Sequence, residues 1–223
     1  MAKAKSELIK NLKLTAPDAM EYTVNISNAK DRQRFIERVK KVIRRSQEYK
    51  DYIQFLKEHI GLNSCIFFQK VTNGPSSKKG RISIEMHHEP FTLQDYVDTV
   101  INKFQDQGLP LNDLLIADEV MELHYSNKVG LVPLSKTAHQ MVHKSTKVVV
   151  PLNMCYGKYS EFLEEYEPYI SEDMYTKLEK KIDMTNNLTP ESFDAITKQF
   201  TYLDVKGFED IEKMEVKAER NIA

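Results

Sequence analysis

Four of the 6 histidines in this chain fall into two tight groups. His87 and His88 are adjacent in ISIEMHHEPFTL, and His139 and His143 are four residues apart in LVPLSKTAHQMVHK. Residues four apart share one face of a helix, so His139 and His143 would present both imidazoles to one point. Neutral imidazole nitrogen is a common ligand of divalent transition metals. The spacing therefore predicts a metal site on this helix.

The adjacent pair can serve two different purposes. Neighbouring residues on a strand point to opposite sides, so His87 and His88 cannot both be ligands of one ion in a regular strand. One of them can complete the metal site while the other faces elsewhere. Three protein ligands leave one position on a metal open, and a free imidazole nearby can act as a general base.

The elements around the histidines decide whether these side chains can meet. RISIEMHH is predicted to be a strand that pairs with SCIFFQKV across the turn segment TNGPSSKKG, giving a hairpin over residues 64–88. Thr92 is the predicted N-cap of a helix, and a second helical run, LNDLLIADEVMELHYSN, follows it. KVGLVPLS is then a strand or tight loop, KTAHQMVHKS a helix capped by Ser135 or Thr137, and KVVVPL a strand.

The order of hairpin, paired histidines, short strand and H-x-x-x-H helix resembles the HNH, or ββα-metal, nuclease motif, most closely in its histidine-rich colicin-type form. The resemblance covers residues 64–150. It implies that His87, His139 and His143 bind one divalent ion, with Zn²⁺, Ni²⁺, Mn²⁺ and Mg²⁺ as the candidates. It also implies that His88 is the general base of an endonuclease that hydrolyses nucleic-acid phosphodiester bonds, with DNA favoured as the substrate.

A second resemblance and one departure accompany the motif. IEMHHEPFTL and LHYSNKVGLVPLSKTAHQMVH also resemble segments of proteins encoded by large bacteriophages. The asparagine that braces the base-bearing loop in HNH proteins falls on Gly130 here, and Asn127 is the nearby substitute. His124 is expected to be a packing or hydrogen-bonding histidine. The alternative is that it orients a metal ligand through a hydrogen bond. Glu85 shares a strand face with His87 and has the same alternative role.

Basic side chains supply the candidate contacts to nucleic acid. The helical segment at 29–62, which Gly61 is predicted to end, carries a run of arginine and lysine, and a lysine directly follows the second helix histidine. The candidates are Arg38, Lys41, Arg44, Arg45 and Lys144. The C-terminal segment SEFLEEYEPYISEDMYTKLEKKIDM is acidic and helical instead, so it would repel phosphate and suits a protein partner.

Composition limits the function classes. Lys+Arg is 32 against Asp+Glu 33, so binding to nucleic acid would need a local basic patch. Cys65 and Cys155 form no CxxC pair, which favours a reducing compartment and a place in the core for both. No apolar run approaches the roughly 20 residues of a membrane span. We expect a cytoplasmic protein, in the host cytoplasm if a phage encodes it, without a membrane partner.

These predictions combine into an α+β fold. A ββα-metal core with a long helical insertion would occupy residues 64–155, between an N-terminal basic helical region at 1–63 and a mainly helical region at 156–223. Two other interpretations stay open. In one, the metal only staples a small ββα unit of a protein that acts by binding a protein or nucleic-acid partner. In the other, no metal binds and the histidines find their hydrogen-bond partners within a polar core.

Overall fold

The computed structural model describes residues 23–68, 83–144 and 148–188, and it is α+β. The helices are α1 (Ala29–Arg45), α2 (Gln47–Glu58), α3 (Leu93–Asp106), α4 (Asp113–Tyr125), α5 (Lys136–Lys144), α6 (Tyr159–Tyr166) and α7 (Glu172–Asn186). The strands are β1 (Ile84–His88) and β2 (Leu131–Ser135), and short 3-10 turns cover Leu152–Met154 and Glu167–Tyr169. None of the helices in these ranges has the length and apolar character of a membrane span.

The predicted N-terminal helix is interrupted once, at Ser46. The Ser46 N–H donates to the last carbonyls of α1, and its hydroxyl oxygen accepts the Tyr49 N–H at 3.1 Å. One residue thus ends α1 and caps α2, because a serine oxygen satisfies an N–H that the start of a helix leaves unpaired. Gly61, with φ +89°, follows α2 where the sequence predicts the helix to end.

Both predicted insertion helices are confirmed, and their caps are local. Thr92 Oγ1 accepts the Asp95 N–H at 3.2 Å, and the Asp95 carboxylate accepts the Thr92 N–H at 2.8 Å, which is a capping box at the start of α3. Asn112 caps α4 by accepting the Leu114 N–H at 2.8 Å. These two helices lie between β1 and β2 in the chain.

The sheet pairs β1 with β2 in antiparallel register, with His87 opposite Val132. The predicted hairpin with SCIFFQKV is wrong over 64–68, which forms no strand of the sheet, and 69–82 lie outside the described residues. Ile66 N–H instead donates to the Pro133 carbonyl at 3.1 Å. All five residues of β2 are buried, and β2 takes the place beside β1 that the prediction gave to SCIFFQKV.

β2 continues directly into α5. Ser135 Oγ accepts the Ala138 N–H at 3.2 Å, so Ser135 is the cap and Thr137 is not.

Residues 148–151 of KVVVPL form no strand, and 145–147 lie outside the described residues. The acidic C-terminal segment is helical as predicted, in α6 and α7, while TPESFDAITKQF lies outside the described residues.

Within the described ranges, buried side chains form two core clusters. The larger contains Phe35, Tyr96 and Phe162, so it draws on all three predicted regions of the chain. The smaller packs Val132, Leu134 and Ala138 together with Cys65, placing α5 against the sheet. The division at 63 and 155 stays a prediction.

Candidate metal site

The three predicted metal ligands lie together. His87 comes from β1, and His139 and His143 come from consecutive turns of α5. One ring nitrogen of each lies within 4.8 Å of the other two. The His87 ring centroid is 5.0 Å from each of the other two centroids, and the Nε2 atoms of His139 and His143 are 3.1 Å apart. A strand and a helix therefore form one imidazole cluster.

Two of the three imidazoles have a carboxylate partner. Glu85 Oε2 lies 2.6 Å from His139 Nδ1, and Glu89 Oε2 lies 3.2 Å from His87 Nε2. A carboxylate only accepts hydrogen bonds, so each of these nitrogens donates, and a metal would bind through the other nitrogen of each ring. Histidine ligands in metal sites usually donate their second N–H in this way, which fixes the ring and its tautomer. Glu85 therefore supports the cluster rather than facing solvent alone.

Glu89 is a partner of the histidine cluster that the sequence interpretation missed. It is 1% exposed and pairs with the Lys181 ammonium of α7. The chain His87–Glu89–Lys181 thus ties the end of β1 to the C-terminal helix. Glu85, His87 and Glu89 alternate along the chain, a signal that could have identified Glu89. Lys181 is 92 residues from Glu89, and no local pattern indicates it.

Access to the cluster is one-sided. His87 is buried, His139 is partly buried and His143 is exposed. Burial, with His87 and His139 alongside, lowers the pKa of His143, which favours the neutral imidazole that a metal requires. The three donors are all imidazole nitrogens, so the set fits Zn²⁺ or Ni²⁺ better than Mg²⁺, which takes oxygen ligands.

His88 lies on the opposite face of β1, as the alternation predicts. Its Nε2 is 3.2 Å from His124 Nε2, and His124 Nδ1 is 2.7 Å from the Val120 carbonyl. Because that carbonyl only accepts, His124 donates through Nδ1 and accepts from His88 through Nε2. Burial lowers the pKa of His124 to about 4 and that of His88 well below its ordinary value. This neutral pair is internal, so His124 is the hydrogen-bonding histidine that the sequence predicts.

Gly130 marks a close approach of two backbones. Glu89 N–H donates to the Gly130 carbonyl at 3.1 Å, and a Cβ on Gly130 would lie 2.0 Å from the Glu89 carbonyl oxygen. No asparagine side chain fits at this position. Asn127 has φ 61° in the turn after α4, and its carbonyl accepts the Lys158 N–H at 2.6 Å. The contacts of Gly130 with Glu89 are thus made by the backbone.

The predicted nucleic-acid contacts are divided between two helices. Arg38 lies on α1 with its Nε 2.6 Å from Asp113 Oδ2, so a carboxylate already neutralises it. Lys41, Arg44 and Arg45 are exposed on the same helix, whereas Lys144 is exposed at the end of α5. Contact of these residues with nucleic acid stays a prediction.

Comparison with known proteins defines the family. The chain belongs to the Bacteriophage G278-like virion protein family, whose model matches residues 3–219. No curated protein and no solved structure matches it. The predicted bacteriophage affiliation is therefore confirmed.

The predicted endonuclease is wrong. The matched family is one of virion proteins and not of HNH nucleases, so the function points to the phage particle rather than to hydrolysis of nucleic acid. His88 accordingly loses its assignment as general base, and its position against His124, away from the histidine cluster, agrees with this correction. The family description names no metal, so a metal at His87, His139 and His143 rests on geometry alone. The predicted host cytoplasm is not confirmed.

Proposed function

We propose that this chain is a structural component of the phage particle and that one divalent metal ion at His87, His139 and His143 fastens its sheet to α5. Family membership supports the place in the particle. The observation that carries the metal is the convergence of three imidazoles, two of them held by carboxylates. Under this proposal β1, β2 and α5 form a small ββα unit whose metal has a structural role.

The position of the cluster explains why a metal would be useful there. A sheet of two strands is marginal without further support. β1 and α5 are also distant in the chain, since His139 is 54 residues from its partner Glu85. An ion held by one strand residue and two helix residues would join these segments directly. Its binding free energy would then add to the stability of the folded chain.

Removal of the metal is expected to lower the melting temperature. An ion present at 1,000 times its dissociation constant adds roughly 4 kcal/mol. In a chain of this size that corresponds to about 10 °C. A chelator should therefore lower the melting temperature of the wild type by about this amount, measured by scanning calorimetry.

Variants distinguish the loss of metal binding from destabilisation caused by the substitutions themselves. His139→Ala/His143→Ala should melt low and show no response to chelator. The control His59→Ala, an exposed histidine at the end of α2, should behave like the wild type. A wild type that is insensitive to chelator and to added Zn²⁺ or Ni²⁺ would contradict the structural metal.

The place in the particle has its own test. Quantitative mass spectrometry of gradient-purified phage particles should detect this chain at a constant ratio to the major particle proteins, before and after a high-salt wash. A structural component stays with the particle because its contacts are part of the assembly. Recovery of the chain in the infected-cell lysate alone, with none in washed particles, would contradict a structural role.

A further inference from the structure

A groove of about 330 Å³ lies beside the histidine cluster, between α5 and α7. His143, the exposed member of the cluster, is part of its lining. The remaining lining combines four lysines with apolar side chains. The lysines are Lys144, Lys177, Lys180 and Lys181, and the apolar side chains include Val142, Val150 and Met184.

Two of the four lysines already have a carboxylate partner, and the other two are available to a ligand. Lys177 Nζ is 2.8 Å from Asp95 Oδ1, and Lys181 pairs with Glu89. Lys144 and Lys180 are exposed, and neither forms an ion pair with a carboxylate in the part of the chain that the structure describes. The groove therefore has positive charge that no described acidic residue neutralises.

The proposed metal adds to this charge at one end of the groove. Three neutral imidazoles add no negative charge to a divalent ion; of the two nearby carboxylates, Glu89 is already paired with Lys181, so Glu85 alone is left to offset part of the charge of the ion. Zn²⁺ with three protein ligands keeps a further position for another ligand. Since His143 is both a cluster member and a groove residue, an anionic group in the groove would meet the metal and the lysines together.

We infer that this groove binds an acidic peptide segment of a partner protein and that one carboxylate of the segment completes the coordination of the metal. This inference rests on the proposed metal site. The apolar lining favours a peptide over nucleic acid, because the partly exposed Val142, Val149 and Met184 can contact alternate apolar side chains. A sugar-phosphate backbone has no matching apolar groups. The occupant thus has both carboxylates and apolar side chains.

Fluorescence anisotropy tests the inference with the full chain. The probe is a short fluorescein-labelled peptide of alternating glutamate and leucine, and the zinc content of every sample is measured. The zinc-loaded protein should bind the peptide at least about tenfold more tightly than the metal-free protein, a difference of about 1.4 kcal/mol. Lys144→Gln/Lys180→Gln should weaken binding by a similar factor. The control Lys30→Gln/Lys50→Gln removes the same charge from exposed positions on α1 and α2 and should have no such effect.

Coordination has a separate readout. In protein loaded with Co²⁺, the visible absorption spectrum should change when the peptide is added, because a new ligand joins the metal. A peptide of alternating glutamine and leucine should leave that spectrum unchanged. An unchanged spectrum with the acidic peptide would overturn the carboxylate ligand.

The remaining outcomes separate the two proposals. Protein that takes up no metal contradicts the proposed function itself. Protein that holds its metal and binds the acidic and glutamine peptides equally contradicts only the peptide groove. A single-stranded DNA oligonucleotide that binds the groove more tightly than the acidic peptide would also overturn it, in favour of a phosphate ligand.

Discussion

Gly130→Ala is expected to destabilise the protein by more than about 3 kcal/mol. The added Cβ would lie 2.0 Å from the Glu89 carbonyl oxygen, and relief requires movement of the backbone instead of a side-chain rotation. Glu89 is also the residue that holds the His87 ring, so the same movement would displace one ligand of the proposed metal site. Urea denaturation of the wild type and the variant measures the difference.

A second glycine provides the control for this substitution. Gly108 has φ +64° and open space around its Cβ position. Gly108→Ala therefore tests backbone conformation without a clash and should cost about 1–2 kcal/mol. A Gly130→Ala variant as stable as Gly108→Ala would show that the β1 and β2 ends separate easily and that their close approach is unimportant.

Lys181→Met is expected to destabilise the protein by about 3 kcal/mol, because it leaves a buried carboxylate without its cation. Glu89 is 1% exposed, and its carboxylate would keep only the His87 N–H as a partner among its described contacts. The variant should also bind metal more weakly, since Glu89 orients a ligand. Chemical denaturation gives the stability, and competition with a coloured chelator gives the metal affinity.

Another lysine of the same helix serves as the control. Lys177 pairs with Asp95, but the lysine side chain is 53% exposed and the Asp95 carboxylate keeps the Thr92 N–H and hydroxyl as donors, so Lys177→Met should cost less than about 1 kcal/mol. Glu89→Gln combined with Lys181→Met should recover part of the lost stability, because no buried charge then remains. Equal effects of Lys177→Met and Lys181→Met would contradict the assignment of Glu89 as a buried support of His87.

Local signals predicted much of the fold. Thr92 and Asn112 cap their helices through hydrogen bonds within the same turn. The strand alternation placed His87 and His88 on opposite faces, and the helical period placed His139 and His143 on one face. Each of these relations involves neighbours in the chain, which is why residue types and spacing were sufficient.

Non-local contacts were harder to predict. β1 pairs with β2 across two helices, and the sequence favoured the nearer hairpin partner. Lys181 reaches Glu89 from a helix 92 residues further along the chain, and no pattern within that helix indicates the partner. The break at Ser46 follows from a single side-chain cap inside a continuous amphipathic pattern.

The function could not be obtained from the histidine spacing. An imidazole cluster on a strand and a helix can hold a catalytic ion or a structural ion, because both use the same donors at the same distances, and only a further ligand in the open fourth position distinguishes a closed structural site. The match to a virion protein family decided against the nuclease. The position of His88 beside His124 agrees, since a buried, hydrogen-bonded imidazole is poorly placed to activate water at the cluster.

The metal content of the purified full chain tests the central claim most directly. The protein should be prepared without a polyhistidine tag and without added chelator, and measured by inductively coupled plasma mass spectrometry. We expect about one transition-metal ion per chain in the wild type and in His59→Ala, and essentially none in His139→Ala/His143→Ala. A wild type that contains no metal and takes up none from Zn²⁺, Ni²⁺ or Mn²⁺ would contradict the account.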